Sequence, residues 1–250
     1  MAEYRRRTDP LDLTETPVVY ADNVISWFDA ISDKIKKNRE LKSSTYAFYD
    51  NQSKIAVALL TEDSESLLAR LSFKERYLPV IEKMTENRKR EWLSIRVLLK
   101  ELLGEEKEIL YNSFGKPYLS DNSFHISISH TKGYAALILN KGREVAIDIE
   151  KITAKVENVR KRFVNEEEEK SLSQSNELIH LLLYWSAKES IFKWLGVENV
   201  DFKSDLHISP FEPVFGEWSE FDAYETRTKD QNCCKIRYFV HEDYVLTCIC

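Results

Sequence analysis

Residues 144–150 read EVAIDIE. Apolar and β-branched residues recur there at period two, the pattern of a strand with one face in a core. Val145, Ile147 and Ile149 point to one side, and Ala146, Asp148 and Glu150 to the other. The apolar triplet is the core side. Two carboxylates are left next to each other on the second face, with no basic residue between them to offset their repulsion. Two readings fit such a pair. One is a solvated strand face, since exposed acidic residues are common. The other is a seat for a hard divalent cation such as Mg²⁺, which takes oxygen ligands and is usually held by one or two carboxylates together with substrate phosphates.

C-terminal to this strand, RKRFVNEEEEKSL and NELIHLLLYWSAKESIFKWLG read as helices, and LHISP, CKIRYFV and YVLTCIC as strands. N-terminal to it, TYAFYDNQSKIAVALLTED reads as a hairpin whose arms are joined at Asp50, Asn51 and Gln52, followed by two helical stretches. In the second stretch Trp92, Ile95, Leu98, Leu99 and Leu102 recur at three- and four-residue steps, with Gly104 at the expected stop. A turn-rich piece, FGKPYLSDN, then leads into two strands, FHISISH and YAALILN. Each half therefore runs strand, helices, strands. The fold expected is α+β, in two pseudo-equivalent halves spanning 45–142 and 143–250, with the site in the cleft between them. Residues 1–44 form an N-terminal extension that gives no clear pattern.

Composition narrows the function. The chain has 250 residues, 36 basic and 42 acidic side chains and a formal charge of −6, with 43% hydrophobic and 12% aromatic residues. That is enough apolar material for a core, so wholesale disorder is excluded. The six glycines stand far apart, which excludes a dinucleotide fingerprint or a Walker-type loop, both of which need closely spaced glycines. The four cysteines occur as CC and CxC, unlike a zinc framework, and neither HExxH nor GxSxG is present. No apolar run is long enough to span a bilayer, and MAEYRRRTDP leads into no apolar leader, so a cytosolic protein is expected. The net negative charge and the lack of a basic stripe interleaved with aromatics argue against a nucleic-acid partner.

Three further places carry chemistry. On a helix, Glu189 and Lys193 share one face, and Trp185, Phe192 and Leu195 share another. The first pair reads either as an i,i+4 salt bridge worth about 0.3–0.5 kcal/mol, or as a third carboxylate and an ammonium that holds or protonates a phosphate oxygen. Lys116 lies between Gly115 and Pro117 on a constrained turn. Ser129 and His130 fall at a strand end, and hydroxyl, imidazole and turn backbone are all good phosphate partners.

Together these motifs resemble the 4′-phosphopantetheinyl transferases of the surfactin-synthetase-activator (Sfp) type. The family's strand motif is G-[IV]-D-[IV]-E and its helix motif W-[ST]-x-K-E-[SA]-x-x-K. This chain carries Ala146 in place of the glycine and the helix motif in full from Trp185 to Lys193, and the similarity runs in family order from Phe114 to Gly196. The resemblance implies two similar α+β halves with coenzyme A in the cleft and Mg²⁺ on its diphosphate. It implies Asp148, Glu150 and Glu189 as metal ligands, and Lys116, Ser129 and His130, with Gly115 and Pro117 of the turn and Lys193, as contacts to coenzyme A. The basic helix start, Arg88 and Arg90, resembles the segment that grips the 3′-phosphate. Glu168 matches a position where the family often has an acidic residue near the attacking group, so Glu189, Lys193 and Glu168 are the catalytic candidates.

The reaction implied is Mg²⁺-dependent attack by a serine of an apo acyl or peptidyl carrier protein on coenzyme A, releasing 3′,5′-ADP, carried out by a monomer. The alternatives are another Mg²⁺-dependent phosphotransferase or phosphohydrolase acting on coenzyme A-like diphosphates, and a noncatalytic adaptor whose three carboxylates are surface charge.

Overall fold

The computed structural model describes residues 44–48 and 53–250, so the proposed hairpin turn at Asp50–Gln52 and the first 43 residues lie outside the described part. The first sheet is antiparallel, with strands β1 (Ser44–Phe48), β2 (Ser53–Leu59), β5 (His125–Thr131) and β6 (Tyr134–Asn140) in the order β1-β2-β6-β5. The second contains β7 (Ala146–Lys151), β8 (Leu206–Ile208), β9 (Trp218–Glu225), β10 (Cys233–Val240) and β11 (Tyr244–Ile249), in the order β7-β11-β10-β9-β8. A small hairpin pairs β3 (Ile109–Tyr111) with β4 (Pro117–Leu119).

Alternation along the strands sets the layers. Ile55 and Val57 of β2, with Ala136 and Ile138 of β6, meet Val145, Ile147 and Ile149 of the second sheet, together with Leu246 and the buried Cys248. The opposite faces of the same strands, Ala56, Ala135, Leu137 and Leu139, pack on Ile95, Leu98, Leu99 and Leu102 of helix α3 (Glu86–Leu103). β6 is thus apolar at nearly every position because both of its faces are covered. Helix α3 opens where the Thr85 hydroxyl accepts from the Arg88 N–H and closes at Gly104, whose φ of 75° is the left-handed conformation that glycine adopts without strain.

Helix α5 (Glu177–Leu195) covers the outer face of the second sheet, where Leu181, Tyr184, Ala187 and Ile191 pack with Ala146, Val245, Ile236 and Tyr238. The face of β7 that carries Ala146, Asp148 and Glu150 is therefore turned toward α5. None of the helices of the described residues is long and apolar enough to cross a membrane.

Several elements depart from the sequence reading. Three helices, not two, follow β2: α1 (Ser64–Ala69), α2 (Lys74–Ile81) and α3. The single helix expected at RKRFVNEEEEKSL is a 3-10 helix (Ala154–Arg162) followed by a short α4 (Glu166–Lys170). The break falls at Asn165, whose side chain accepts from the N–H groups of Glu167 and Glu168 while Glu168 returns a bond to the Asn165 N–H, a capping box that starts a new helix. Strand β9 and the β3–β4 hairpin were not anticipated. In WSEFDAYE the buried positions are Phe221, Ala223 and, unexpectedly, Glu225, so a carboxylate interrupts the apolar half of the alternation.

Candidate functional site

The two sheets are joined along their edge strands β5 and β7 by three hydroxyls at period two. Ser127 Oγ accepts from the Ile147 N–H at 3.2 Å, Ser129 Oγ donates to Asp148 Oδ1 at 2.8 Å, and Thr131 Oγ1 accepts from the Lys151 N–H at 3.2 Å and donates to Glu150 Oε2 at 3.5 Å. Helix α5 approaches the same carboxylates from the other side. The Trp185 indole N–H donates to Glu150 Oε1 at 2.8 Å, and Lys193 Nζ donates to Asp148 Oδ1 at 2.7 Å and to the Ile147 carbonyl at 3.1 Å. Trp185, Glu189 and Lys193 are spaced by four, so all three project from one helical face. Sequence reasoning set Trp185 on a different face from Glu189. The structure corrects this: the Trp185 ring packs on Phe163 and Phe202 while its N–H reaches the carboxylate side.

Asp148, Glu150, Glu189 and Lys193 line one cleft of about 400 Å³ together with Ser129, His130 and Arg88, and with Gly115 and Pro117 of the GKP turn. Asp148 is only 4% exposed, so the solvated-face reading of this strand does not hold. Nor does the plain i,i+4 reading of α5, because Lys193 turns to Asp148. Burial, reinforced by the Asp148 charge, pushes the Glu150 carboxyl up to about 7, even though Trp185, Lys193 and Thr131 pull the other way. The Glu189 carboxyl rises to about 7 for the same two reasons, with Lys193 opposing and Glu150 adding to the rise. These are the shifts expected of carboxylates that share a partly dehydrated site with too little positive charge.

The residues present fit a hard cation by chemistry. All three side chains offer oxygen, the ligand type Mg²⁺ takes, and Asp148 Oδ2 is buried with no hydrogen-bond partner. They are not drawn up around one: among the described residues no group of three or more His, Cys, Asp or Glu side chains is close enough to hold a metal ion. Lys193 instead occupies Asp148 Oδ1.

At the rim, His130 Nε2 lies 2.8 Å from a guanidinium nitrogen of Arg88, which also donates to Glu91 Oε2 at 3.1 Å. His130 Nε2 is therefore the acceptor in that contact, and the ring carries its proton on Nδ1. Three expected site residues fall elsewhere. Arg90 points away and donates to the Glu62 carbonyl at 2.9 Å. Lys116 lines a separate pocket of about 460 Å³ behind the turn and pairs with Glu144 at 2.7 Å. Glu168 is 2% exposed and closed off: it accepts from Lys188 Nζ at 2.8 Å, from the Ile208 N–H at 3.0 Å and from the Asn165 N–H at 2.9 Å. Glu168 does not line the cleft and is paired with the buried Lys188. Trp185 and Thr131 hold Glu150, and sequence reasoning missed both; the spacings Trp185 to Glu189 and Ser129 to Thr131 were the available signals.

A comparison with curated proteins finds no match to the chain. A family model described as the 4′-phosphopantetheinyl transferase superfamily matches residues 144–249, the stretch that carries Asp148, Glu150, Glu189 and Lys193.

Proposed function

We propose that the protein transfers the 4′-phosphopantetheine group of coenzyme A to a serine of an apo acyl or peptidyl carrier protein and releases 3′,5′-ADP. The observation that carries this reading is the convergence of one buried and two half-buried carboxylates, Asp148, Glu150 and Glu189, on one cleft beside a single ammonium, under a rim formed by Arg88 and His130. Negative charge there is under-compensated, while Arg88 and His130 offer nitrogen groups at the rim, so the cleft suits a ligand that brings both phosphate and a divalent counter-ion. Asp148, Glu150 and Glu189 would hold a magnesium ion, which when bound neutralises charge on the diphosphate. The surfactin-synthetase-activator subtype belongs to the same proposal, resting on the Phe114–Gly196 motifs.

The protein's own groups divide the remaining work. Ser129 and Lys193 fix Asp148, and Trp185 and Thr131 fix Glu150, so the carboxylates are oriented before substrate arrives. The carrier serine Oγ forms a bond to the β-phosphorus of coenzyme A as the bond from that phosphorus to the bridging oxygen breaks, and the bridging oxygen leaves with 3′,5′-ADP. The serine proton passes to Glu189, directly or through water. Lys193, which donates to Asp148 Oδ1 and the Ile147 carbonyl in the unliganded cleft, would leave Asp148 when a cation takes that oxygen and turn its freed N–H to the charge growing on the leaving oxygen.

The same reading treats 45–142 and 143–250 as equivalent halves that flank the cleft, with 1–44 as an addition to them. The order β2-β6-β5 parallels β7-β11-β10, and each sheet carries one long helix on its outer face. The enzyme works as a cytosolic monomer, with no nucleic-acid or membrane partner. Mass spectrometry of apo carrier proteins after incubation with coenzyme A and Mg²⁺ tests the function. The reading predicts addition of phosphopantetheine by the native chain and none by Asp148→Ala; 3′,5′-ADP released without carrier modification points instead to hydrolysis of the diphosphate.

A further inference from the structure

Lys116 stands in the GKP turn, two of whose residues, Gly115 and Pro117, line the cleft. The turn backbone is held by Asn112: its Oδ1 accepts from the N–H groups of Phe114 at 2.9 Å and Lys116 at 3.0 Å, and its carbonyl accepts from the Gly115 N–H at 3.0 Å. Gly115 takes a φ of 78° to close it. This fixes the direction in which the Lys116 side chain leaves, which is away from the cleft. Its stem passes Gly196, the left-handed residue that ends α5, and a Cβ at that position would sit 3.8 Å from Lys116 Cδ. Its ammonium ends on Glu144 Oε2 at 2.7 Å, and the other oxygen of Glu144 bonds His125 Nδ1 at 2.9 Å.

Glu144 belongs to the connection between β6 and β7, which among the described residues is the segment that passes from the first sheet to the second. His125 is the first residue of β5. One carboxylate therefore ties the turn, the strand that carries Ser129, and the inter-sheet connection, while the Lys116 stem lies along the end of the helix that carries Glu189 and Lys193. Burial alone would raise the Glu144 carboxyl, yet Lys116 and His125 together hold it below the ordinary range. The pairing is thus favourable in place.

We infer that Lys116, Glu144 and His125 form a positioning clamp that sets the GKP wall of the cleft against the β6–β7 connection and the end of α5, and that Lys116 is not itself a phosphate ligand. This rests on the coenzyme A reading for its ligand, but the clamp has a readout without ligand. The two roles for Lys116 also predict opposite signs for one variant. If Lys116 gripped a phosphate, Glu144→Gln would free the ammonium from a competing carboxylate and tighten coenzyme A binding. If Lys116 is a strut, the same change loosens the turn and weakens binding.

The test is isothermal titration of coenzyme A with Mg²⁺ into the native chain, Glu144→Gln, Lys116→Met, the double variant, and the reversed pair Lys116→Glu with Glu144→Lys. The clamp predicts that each single change weakens binding by about two- to fivefold, as for a partly exposed ion pair in a network. It also predicts that the double variant is no worse than either single one, and that the reversed pair recovers most of the loss. Tighter or unchanged binding by Glu144→Gln, with weaker binding by Lys116→Met, overturns it. Hydrogen exchange at the Asn112–Lys116 amides, measured on the same proteins without ligand, keeps the two readings apart. Faster exchange in Glu144→Gln at that turn but not in α3 supports the clamp even if no chain binds coenzyme A, and unchanged exchange at the turn overturns it.

Discussion

Replacing Trp185 with phenylalanine removes one hydrogen-bond donor from the site and little else. The ring would still pack against Phe163 and Phe202, whose centroids lie 5.2 and 5.6 Å from that of Trp185. What is lost is the 2.8 Å bond from the indole N–H to Glu150 Oε1, leaving that carboxylate only the longer 3.5 Å contact from Thr131. A hydrogen bond to a charged group is worth about 1.5–3 kcal/mol, and each 1.36 kcal/mol of selective stabilisation of the charged form corresponds to about one pKa unit. The indole bond is one of the contacts holding Glu150 down, against burial and the Asp148 charge, to about 7. Its loss raises the carboxyl by roughly one unit or more. Since Glu150 acts ionised, activity lost on the acid side is lost at higher pH in the variant. The acid limb of the kcat/KM profile for carrier modification is expected to move up by about one unit, so that activity lost on the acid side is regained at higher pH. A variant whose acid limb stays where the native one lies, with activity lowered equally at every pH, would refute the assigned role of the indole N–H.

Three more outcomes follow from the same geometry. Glu189 has a folded pKa of about 7, above its ordinary value, so the fold is destabilised as pH rises through the interval from about 4.5 to 7 and the carboxyl is forced to ionise; Glu189→Gln should end transfer yet raise Tm at pH 8 by roughly 3–6 °C without added Mg²⁺, worth about 1–2 kcal/mol after solvent screening, and a lower Tm in thermal scans would contradict this. Lys188→Met leaves the buried Glu168 without its ammonium partner and should cost about 3–5 kcal/mol in urea unfolding, whereas Lys188→Met with Glu168→Gln should recover much of it; equal losses would show that the pair does not act as one unit. The Glu225 carboxyl is raised by burial but drawn down further, to about 2, by the Thr228 and Asn232 donors, so it contributes stability above the ordinary carboxylate range that is lost as pH falls from about 4.5 toward 2; Glu225→Gln should flatten that acid limb of stability by about 1–2 kcal/mol, and an unchanged limb in acid unfolding would count against it.

The sheets and the long helices could be read from the sequence because their signals are local. Period-two alternation in EVAIDIE places Asp148 and Glu150 on one face, and the three- and four-residue steps in α3 find the helix that covers the first sheet. The cleft was less legible because its determinants are side-chain directions between elements. Nothing in GKP tells that Lys116 bends toward Glu144, since Glu144 is distant in sequence and meets it only after β6 turns into β7. Arg88 and Arg90 look alike in sequence, yet helical geometry sends Arg88 to His130 and Arg90 to the Glu62 carbonyl. The four consecutive glutamates of α4 offered no means of choosing among them. Only packing shows that Glu168 is the one turned inward, against a lysine of α5. Lys193 was assigned to the right face, but its partner is Asp148 on the facing strand β7 and not the residue four back.

The account depends on Asp148, Glu150 and Glu189 acting together as the ligands of a single divalent ion. Crystals of the native chain grown with coenzyme A and Mn²⁺ in place of Mg²⁺ test this most directly through the anomalous difference map at the manganese edge. The account predicts one strong peak bonded to oxygens of all three carboxylates, with Lys193 released from Asp148 Oδ1. A map with no peak there, or with manganese bound elsewhere while Lys193 keeps its 2.7 Å bond to Asp148, would contradict it.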